Sequence, residues 1–322
     1  MTSTTTPRVP LSVPVANTAQ RPEWEQLPAA VRDWVEDQLG AAVTDSRSQR
    51  SGYTPGFASR VGLADGRRAF VKIAGWGKEW LLESYAKEAL KRRTLPAGVP
   101  APQLLADGRA TIDGQEWQSL IFVDIDGRPP HRPWRMAEAT AAVKAVERTA
   151  QLLTPAPTGF DWLPLSAELG DLPPDKEQAI EEWFADHVDE MRELVLGFAD
   201  RCVGNTLVHA DLRDDNMIIG ADGTAWICDW NFPMLGKPYV DLVTLLLSIR
   251  GDGLDADAML AASPLVTAED ADGIDSLLAD LSLYYVIAAD RPAADGSPYL
   301  RRHQAWNRDV TIGWLADRRG WN

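Results

Sequence analysis

The chain has 322 residues, 45% of them hydrophobic, and a formal net charge of −15. This length exceeds what one small core usually holds, so we expect two lobes. The negative charge argues against nucleic acid as a partner, and no apolar run approaches the ~18 residues that a membrane span requires, so no membrane partner is expected.

The two cysteines, Cys202 and Cys228, indicate a reducing compartment, so we expect a cytoplasmic protein. Neither lies in a cluster of His and Cys, so zinc is not supported. Residues 1–20 are rich in Thr and Pro and lack the hydrophobic segment of a signal peptide. We therefore predict a disordered tail there.

A Gly-rich turn precedes the first well-defined strand. An amphipathic helix is predicted over residues 23–39, and residues 51–61 then contain Gly52, Pro55 and Gly56. Peptide N–H groups in such a turn could point at phosphate oxygens. An ordinary hairpin turn is the alternative interpretation.

Lys72 interrupts an apolar strand predicted over residues 68–74. A charge inside a buried strand needs a partner. The helix predicted over residues 79–94 offers Glu83 and Glu88 as candidates. The alternative is an edge-strand lysine that prevents aggregation.

Residues 119–123 form another apolar strand, with a Pro-rich exit at residues 124–130. Helices are predicted at 136–153 and 176–203, with a Pro-rich connector between them. Beyond these, the pattern predicts a buried helix at 239–248 and two further helices within 267–322.

The stretch from Leu207 to Asn216 combines His209, Asp211 and Asn216 in a polar loop after an apolar strand. Two short apolar strands follow, and Asp229 comes directly after the second of them. In this arrangement Asp211 projects as a proton acceptor, while Asn216 and Asp229 offer oxygen ligands for a cation. The alternative is a solvated loop between hairpin strands, where Asp and Asn are common.

These motifs, in this order, resemble those of the aminoglycoside phosphotransferases, antibiotic kinases with a protein-kinase-like fold. The family's loop usually reads His-Gly-Asp, whereas this chain has Ala210 between His209 and Asp211. The resemblance covers roughly residues 52–246. It implies an α+β, bilobal fold with a small β-rich N-lobe for nucleotide binding at 21–123. A larger, mostly helical C-lobe at 124–322 would carry the catalytic loop and bind the substrate.

The resemblance also implies a role for each motif. Asp211 would be the catalytic base, with Asn216 and Asp229 as the Mg²⁺ ligands. Glu88 is preferred to Glu83 as the partner of Lys72, because family members place this Glu shortly before a Val-Pro-x-Pro turn such as the one at residues 99–102. The expected nucleotide-binding residues are Lys72, Glu88, Gly52, Gly56 and, through their main chains, Val123 and Ile125. His209 and Asp241 would hold the loop in place.

The implied function is ATP-dependent phosphorylation of a hydroxyl group on a small molecule, with Mg²⁺, and with GTP left open as the donor. The acceptor would be an antibiotic, aminoglycoside-like or otherwise cationic, so that the reaction confers resistance or self-resistance. Other acceptors are a nucleoside antibiotic, a macrolide or a choline-like metabolite, and a non-catalytic nucleotide-binding regulator is a further alternative. A protein kinase is disfavoured because no long activation segment separates Asp229 from Asp241.

The charge is distributed unevenly along the chain. Residues 1–123 carry 15 Lys and Arg against 13 Asp and Glu, whereas residues 124–322 carry 17 against 34. An acidic cleft in the second part would attract a cationic substrate. Alternatively, the acids serve solubility on exposed helix faces, for example at Glu181, Glu182, Asp186, Asp189 and Glu190.

Overall fold

A computed structural model describes residues 8–14, 18–167 and 169–321. These residues form a five-stranded antiparallel sheet with flanking helices, followed by a mostly helical part that contains a two-stranded and a three-stranded sheet. The α+β class and the two-lobed, kinase-like arrangement predicted from the sequence are confirmed.

The first part of the chain builds the large sheet, whose strand order is β1-β2-β3-β5-β4. Its elements are α1 (Ala29–Leu39), β1 (Val43–Ser48), β2 (Phe57–Leu63), β3 (Arg68–Ala74), α2 (Glu79–Thr94), β4 (Leu104–Ile112) and β5 (Gln115–Val123). The helix predicted from residue 23 begins only at Ala29, because Pro28 separates it from a short 3₁₀ turn at Trp24–Gln26. Val123, the last residue proposed for the N-lobe, is also the last residue of β5, and the boundary itself stays a prediction.

Strand alternation decides which face of β3 carries Lys72. Val71 and Ile73 pack on one face of the sheet in a core shared with α1. Ala74 belongs to the opposite core, which α2 covers. Since successive side chains point to opposite faces, Lys72 lies on the α2 side.

The second part of the chain is mainly helical. Its elements are β6 (Gly127–Arg128), α3 (Met136–Leu152), α4 (Pro174–Trp183), α5 (Val188–Leu196), α6 (Phe198–Arg201), β7 (Thr206–Val208), β8 (Met217–Gly220), β9 (Ala225–Ile227), β10 (Met234–Gly236), α7 (Val240–Gly251), α8 (Ala256–Ala262), α9 (Ala271–Ala289) and α10 (Leu300–Arg319). Helix α7 is buried along its length, since all of its twelve residues except the half-buried Thr244 are buried. It therefore forms a rigid support for the residues that contact its first turn, where Asp241 lies.

The long helix predicted over residues 176–203 is wrong. The chain instead forms α4, α5 and α6, because the backbone leaves the helical region at Phe184 and His187, whose φ values are −131° and −134°. The interruption lets Phe184 enter the core while Trp183 stays 42% exposed.

The described part of the N-terminal segment is held by contacts, in contrast to the disordered tail predicted over residues 1–20. The N–H of Val9 donates to the Gly251 carbonyl at 2.9 Å, and its carbonyl accepts from Trp306 Nε1 at 2.9 Å. Thr18 donates to the Gly52 carbonyl at 2.9 Å. Residues 1–7 and 15–17 lie outside the described residues.

Among the described residues, no helix combines the length and the apolar character needed to cross a membrane.

A buried ion network links the segment after β6 to the catalytic loop and to the end of α7. Arg132 contacts Asp214 and Asp252, each at 2.6 Å, and its side chain is only 3% exposed. We expect Arg132→Ala to lower the free energy of unfolding by about 3–5 kcal/mol, because two carboxylates would be left without their cation. Urea titrations measure this loss.

The control is Arg93→Ala, which removes the exposed ion pair with Asp107. It should cost much less stability, because solvent screens that pair. Equal losses in the two variants would contradict the importance given to the buried network.

Candidate active site

The loop between β7 and β8 is fixed by Asp241, in the first turn of α7. Its carboxylate accepts the N–H groups of His209 at 2.7 Å and of Ala210 at 3.0 Å. Ala210 has a φ of 63°, a left-handed conformation that L-residues adopt only when neighbours hold them there. The sequence-based expectation that Asp241 ties the loop down agrees with this geometry.

His209 is fully buried and braces the same loop. Its Nε2 lies 2.8 Å from the Cys228 carbonyl, and its Nδ1 is 3.3 Å from the Asp211 N–H. This pairing requires the neutral ring with its proton on Nε2. With both nitrogens engaged by the main chain, His209 is better suited to holding the loop than to accepting a proton from a substrate.

Asp211 and Asn216 occupy the two ends of the loop and meet across it. Asn216 Nδ2 donates to the Asp211 carbonyl at 2.7 Å and lies 3.4 Å from Asp211 Oδ2. Burial raises the pKa of Asp211 above its ordinary value, and the neighbouring Arg213 opposes that rise. A carboxylate with a raised pKa is a better proton acceptor than a fully solvated one.

Lys72 lies between the carboxylates of Glu88 and Asp229, and the sequence predicted the first of these two partners. Its Nζ is 2.9 and 2.8 Å from the two oxygens of Glu88, and 3.0 Å from Asp229 Oδ1. Glu83, the rejected candidate, instead pairs with Arg109 at the surface at 2.7 Å. Burial alone would lower the pKa of Lys72, but Asp229 and Glu88 raise it above its usual value. The lysine is therefore charged.

Asp229 and Asn216 form an oxygen-donor pair that fits a hard divalent cation. Burial opposes ionisation of Asp229, yet the charge of Lys72 keeps its pKa below the ordinary value. Asn216 uses its amide nitrogen on the loop, so its oxygen can face a metal. Among the described residues no group of three or more His, Cys, Asp or Glu could hold a metal ion.

The Gly-rich turn extends across the cleft. Tyr53 packs against His303 of α10 with ring centroids 5.3 Å apart and the rings tilted by 31°, and its ring lies 5.9 Å from the Arg213 guanidinium. Ser297 Oγ donates to the Tyr53 carbonyl at 2.6 Å. The turn thus connects the first part of the chain to the second, directly above the catalytic loop.

The two glycines of this turn have different surroundings. Gly52 has a φ of 83° and lines the cleft. Gly56 does not belong to the lining. A Cβ there would come within 2.7 Å of the Tyr85 hydroxyl, so its small size serves close packing of the turn.

The proposed adenine site at Val123 and Ile125 is partly engaged by protein groups. The Val123 N–H donates to the Gln103 carbonyl at 2.9 Å. Arg60 donates to the Ile125 carbonyl at 2.8 Å and binds Asp124 at 2.6 Å. An adenine contact would therefore use the other main-chain groups of these residues, and their role stays a prediction.

Arg60 and Arg213 are cleft residues that the sequence reasoning missed. Arg213 pairs with Asp211 and contacts Asp215 at 2.9 Å. Its position two residues after Asp211, as the one basic residue among the acids Asp211, Asp214 and Asp215, was a usable signal. No local pattern singles out Arg60, since its partners come from the chain more than 60 residues away.

Two cavities meet at Asp211. The first, of about 410 Å³, is lined by all the predicted site residues except Gly56. It also has many basic side chains, namely Arg21, Arg60, Lys72, Arg92, Arg128 and Arg213. The second, of about 400 Å³, lies on the α7 and α9 side of the catalytic loop, and both cavities include Asp211 and Arg213 in their linings.

The family model described as the phosphotransferase enzyme family matches residues 56–274, which include Lys72, Glu88, Asp211, Asn216, Asp229 and Asp241. The chain belongs to the phosphotransferase enzyme family. The resemblance to the aminoglycoside phosphotransferases is thereby confirmed, and this phosphotransferase is a small-molecule kinase. A search of curated proteins finds no match.

Solved structures share the fold of this phosphotransferase. A thermostable mutant of aminoglycoside phosphotransferase APH(4)-Ia is 14% identical, with a TM-score of 0.57 over 89% of this chain and 98% of that one. Amicoumacin kinase hAmiN is 12% identical, with a TM-score of 0.54 over 87% and 93%. Choline kinase LicA from Streptococcus pneumoniae is 17% identical, with a TM-score of 0.52 over 89% and 98%. At these identities the similarity establishes the fold and leaves the acceptor open.

Replacing the loop anchor should impair transfer more than nucleotide binding. We expect Asp241→Ala to lower kcat by about 100-fold, because a displacement of ~1 Å in a catalytic group has that effect. Steady-state kinetics and a nucleotide-binding isotherm measure the two properties. Asp255→Ala is the matched control, since Asp255 also accepts an N–H at a helix start, at 2.9 Å from Ala258, but far along the chain from the loop. Similar kinetic losses in both variants would rule out the anchoring role.

The pH dependence of transfer should respond to Arg213. Activity should fall as the pH drops through the raised pKa of Asp211, because a protonated carboxyl cannot accept the substrate proton. Arg213→Gln removes a positive charge that lowers this pKa, so the acid limb of kcat/KM should move to higher pH. The exposed Arg148→Gln serves as the control. An acid limb that stays in place, or moves to lower pH, would contradict the assignment of Asp211 as base.

Proposed function

We propose that this phosphotransferase transfers the γ-phosphate of ATP to a hydroxyl group of a small molecule, with Asp211 as the catalytic base. The observation that carries the proposal is that one cavity is lined by Lys72, Asp229, Asn216 and Asp211 together. Of these four residues, only Asp211 also lines the second cavity. This arrangement separates a donor side from an acceptor side, with the proton acceptor at their junction.

In the proposed reaction, a bond forms between the acceptor oxygen and the γ-phosphorus while the bond from that phosphorus to the bridging oxygen of ADP breaks. The proton of the acceptor hydroxyl passes to the carboxylate of Asp211. Lys72, oriented by Glu88, would contact the phosphates as a fixed positive charge. Arg213, beside Asp211, is placed to stabilise negative charge on the transferring group.

Asn216 and Asp229 would hold Mg²⁺. When bound, the ion supplies charge neutralisation on the phosphate oxygens. The protein's own contribution is to fix the two oxygen donors: Asn216 through its bond to the Asp211 carbonyl, and Asp229 through Lys72. Both donors are therefore set before the nucleotide arrives.

Structures with the same fold support the choice of nucleotide and metal. Amicoumacin kinase hAmiN was solved with AMP-PNP, Ca²⁺ and Ami, and spectinomycin phosphotransferase APH(9)-Ia with ADP and spectinomycin. We carry over ATP as the donor and a divalent cation on this basis. GTP stays an alternative, because the groups that read the purine are main-chain groups near Val123 and Ile125.

The acceptor is proposed to be an antibiotic, with resistance or self-resistance as the result. Similar folds that phosphorylate antibiotics support this proposal. The choline kinase with the same fold keeps a small metabolite as the second candidate. The family match, which is to a family of enzymes, favours catalysis over a non-catalytic regulator.

The test combines an acceptor panel with two substitutions. Mass spectrometry would follow Mg²⁺- and ATP-dependent phosphorylation of aminoglycosides, nucleoside antibiotics, macrolides, peptide antibiotics and choline. Asp211→Asn should abolish transfer while nucleotide binding is retained, because it removes only the proton acceptor. Asp229→Ala should also lose metal-dependent nucleotide binding. Substantial turnover in Asp211→Asn would overturn the assignment, and wild-type protein that binds no nucleotide would overturn the proposal itself.

A further inference from the structure

The second cavity, on the far side of Asp211 from Lys72, has a lining that is chemically selective. Its apolar wall includes Leu165, Leu169, Met234 and Leu281. Its volume of about 400 Å³ falls in the range of ordinary small-molecule sites. Since the cavity borders the proton acceptor, its lining decides which acceptors can present a hydroxyl there.

The charged groups of this lining are already neutralised within the protein. Among the described residues, its acids are Asp211 and Asp214. Asp211 is paired with Arg213, and Asp214 with Arg132 at 2.6 Å. A polycation that enters this cavity would have to compete with an arginine for each carboxylate. Its ammonium groups would therefore lose their hydration without gaining an ion pair in return.

Acids that the solubility interpretation invokes, such as Glu181 and Glu190, lie away from both cavities. Glu177 and Glu181, on α4, pair with Arg192, and Glu190, on α5, pairs with Arg319. None of these acids contributes to the lining of either cavity. These acids fit the solubility interpretation. The acids of the C-terminal part that do line the cavities are each paired with an arginine or a lysine, namely Asp124, Asp211, Asp214, Asp215 and Asp229.

Two exposed aromatic side chains stand where the cavities join. Phe232, three residues after Asp229, is 56% exposed, and Tyr284 of α9 is 43% exposed. Both line both cavities, as Asp211 does. Large aromatic surfaces left in water at a site are favourable contacts for a ligand with an apolar face.

Building on the proposed function, we infer that the acceptor is a hydroxyl compound without positive charge near the reacting group, and that it presents an aromatic or apolar ring face to Phe232 and Tyr284. An amino sugar with several ammonium groups does not match this lining. The inference thus names the chemical class of the acceptor that the proposed function leaves open.

Fluorine NMR tests the inference without knowledge of the natural acceptor. The chain has six tyrosines, so protein labelled with 3-fluorotyrosine gives a readable spectrum, and Tyr284→Phe identifies the resonance of Tyr284. The probes are 2-phenylethanol, an uncharged aromatic alcohol, and glucosamine, a cationic amino sugar. Each is titrated at the same concentrations with Mg²⁺ and AMP-PNP present.

We expect 2-phenylethanol to shift the Tyr284 resonance saturably and glucosamine to leave it unchanged. Phe232→Ala should weaken the 2-phenylethanol response by about 2- to 10-fold, the usual contribution of one aromatic contact. Trp183→Ala removes an aromatic side chain that is also exposed but does not line either cavity, and it should have no effect.

A response to glucosamine in preference to 2-phenylethanol, or no response to either, would overturn the inference. The proposed function is judged separately, by the changes that AMP-PNP alone produces at Tyr53 in the same labelled protein and by the Asp211-dependent transfer assay. If the protein binds AMP-PNP but its Tyr284 resonance does not respond to 2-phenylethanol, the acceptor class is refuted and the proposed kinase activity is not.

Discussion

The ammonium group of Lys72 is a positive charge inside a buried strand, and the architecture of the cleft follows from the need to neutralise it. Strand alternation points it toward α2, where Glu88 meets it, and Asp229 reaches it from the other part of the chain. Removing a partner from such a buried pair typically costs about 3–5 kcal/mol. The same contacts that make the charge tolerable hold the nucleotide-side residues in place.

The opposite side of the cleft depends on α7. This helix is buried along its length, and Asp241 in its first turn fixes the backbone of His209 and Ala210. Catalytic side chains on a loop would ordinarily be mobile. Here the two hydrogen bonds from Asp241 attach the loop to a buried helix, so the loop backbone is held in place. Asp211 therefore has a defined position between the two cavities.

The parts of the site that follow local rules were predictable from the sequence. The period of β3 and of α2 brings Lys72 to Glu88, and the short spacing between Asp211 and Asn216 forces both into one loop. By contrast, the contacts of Arg60 with Ile125 and of Tyr53 with His303 join distant segments whose approach no periodicity encodes. The positions of the acids in the C-terminal part were also not predictable. Composition gives the number of charges but not which arginine pairs with which acid.

Ala210 has a consequence for how such a sequence changes over generations. A left-handed alanine is strained by about 1–2 kcal/mol, which a glycine would relieve. A glycine would also enlarge the unfolded ensemble, an opposing effect of about 0.4–1 kcal/mol. The second effect offsets only part of the first, so the alanine lowers the stability of the loop on balance. The carboxylate of Asp241 holds the turn by main-chain groups that both residues possess. A change between glycine and alanine at this position thus alters the stability of the loop while its shape persists.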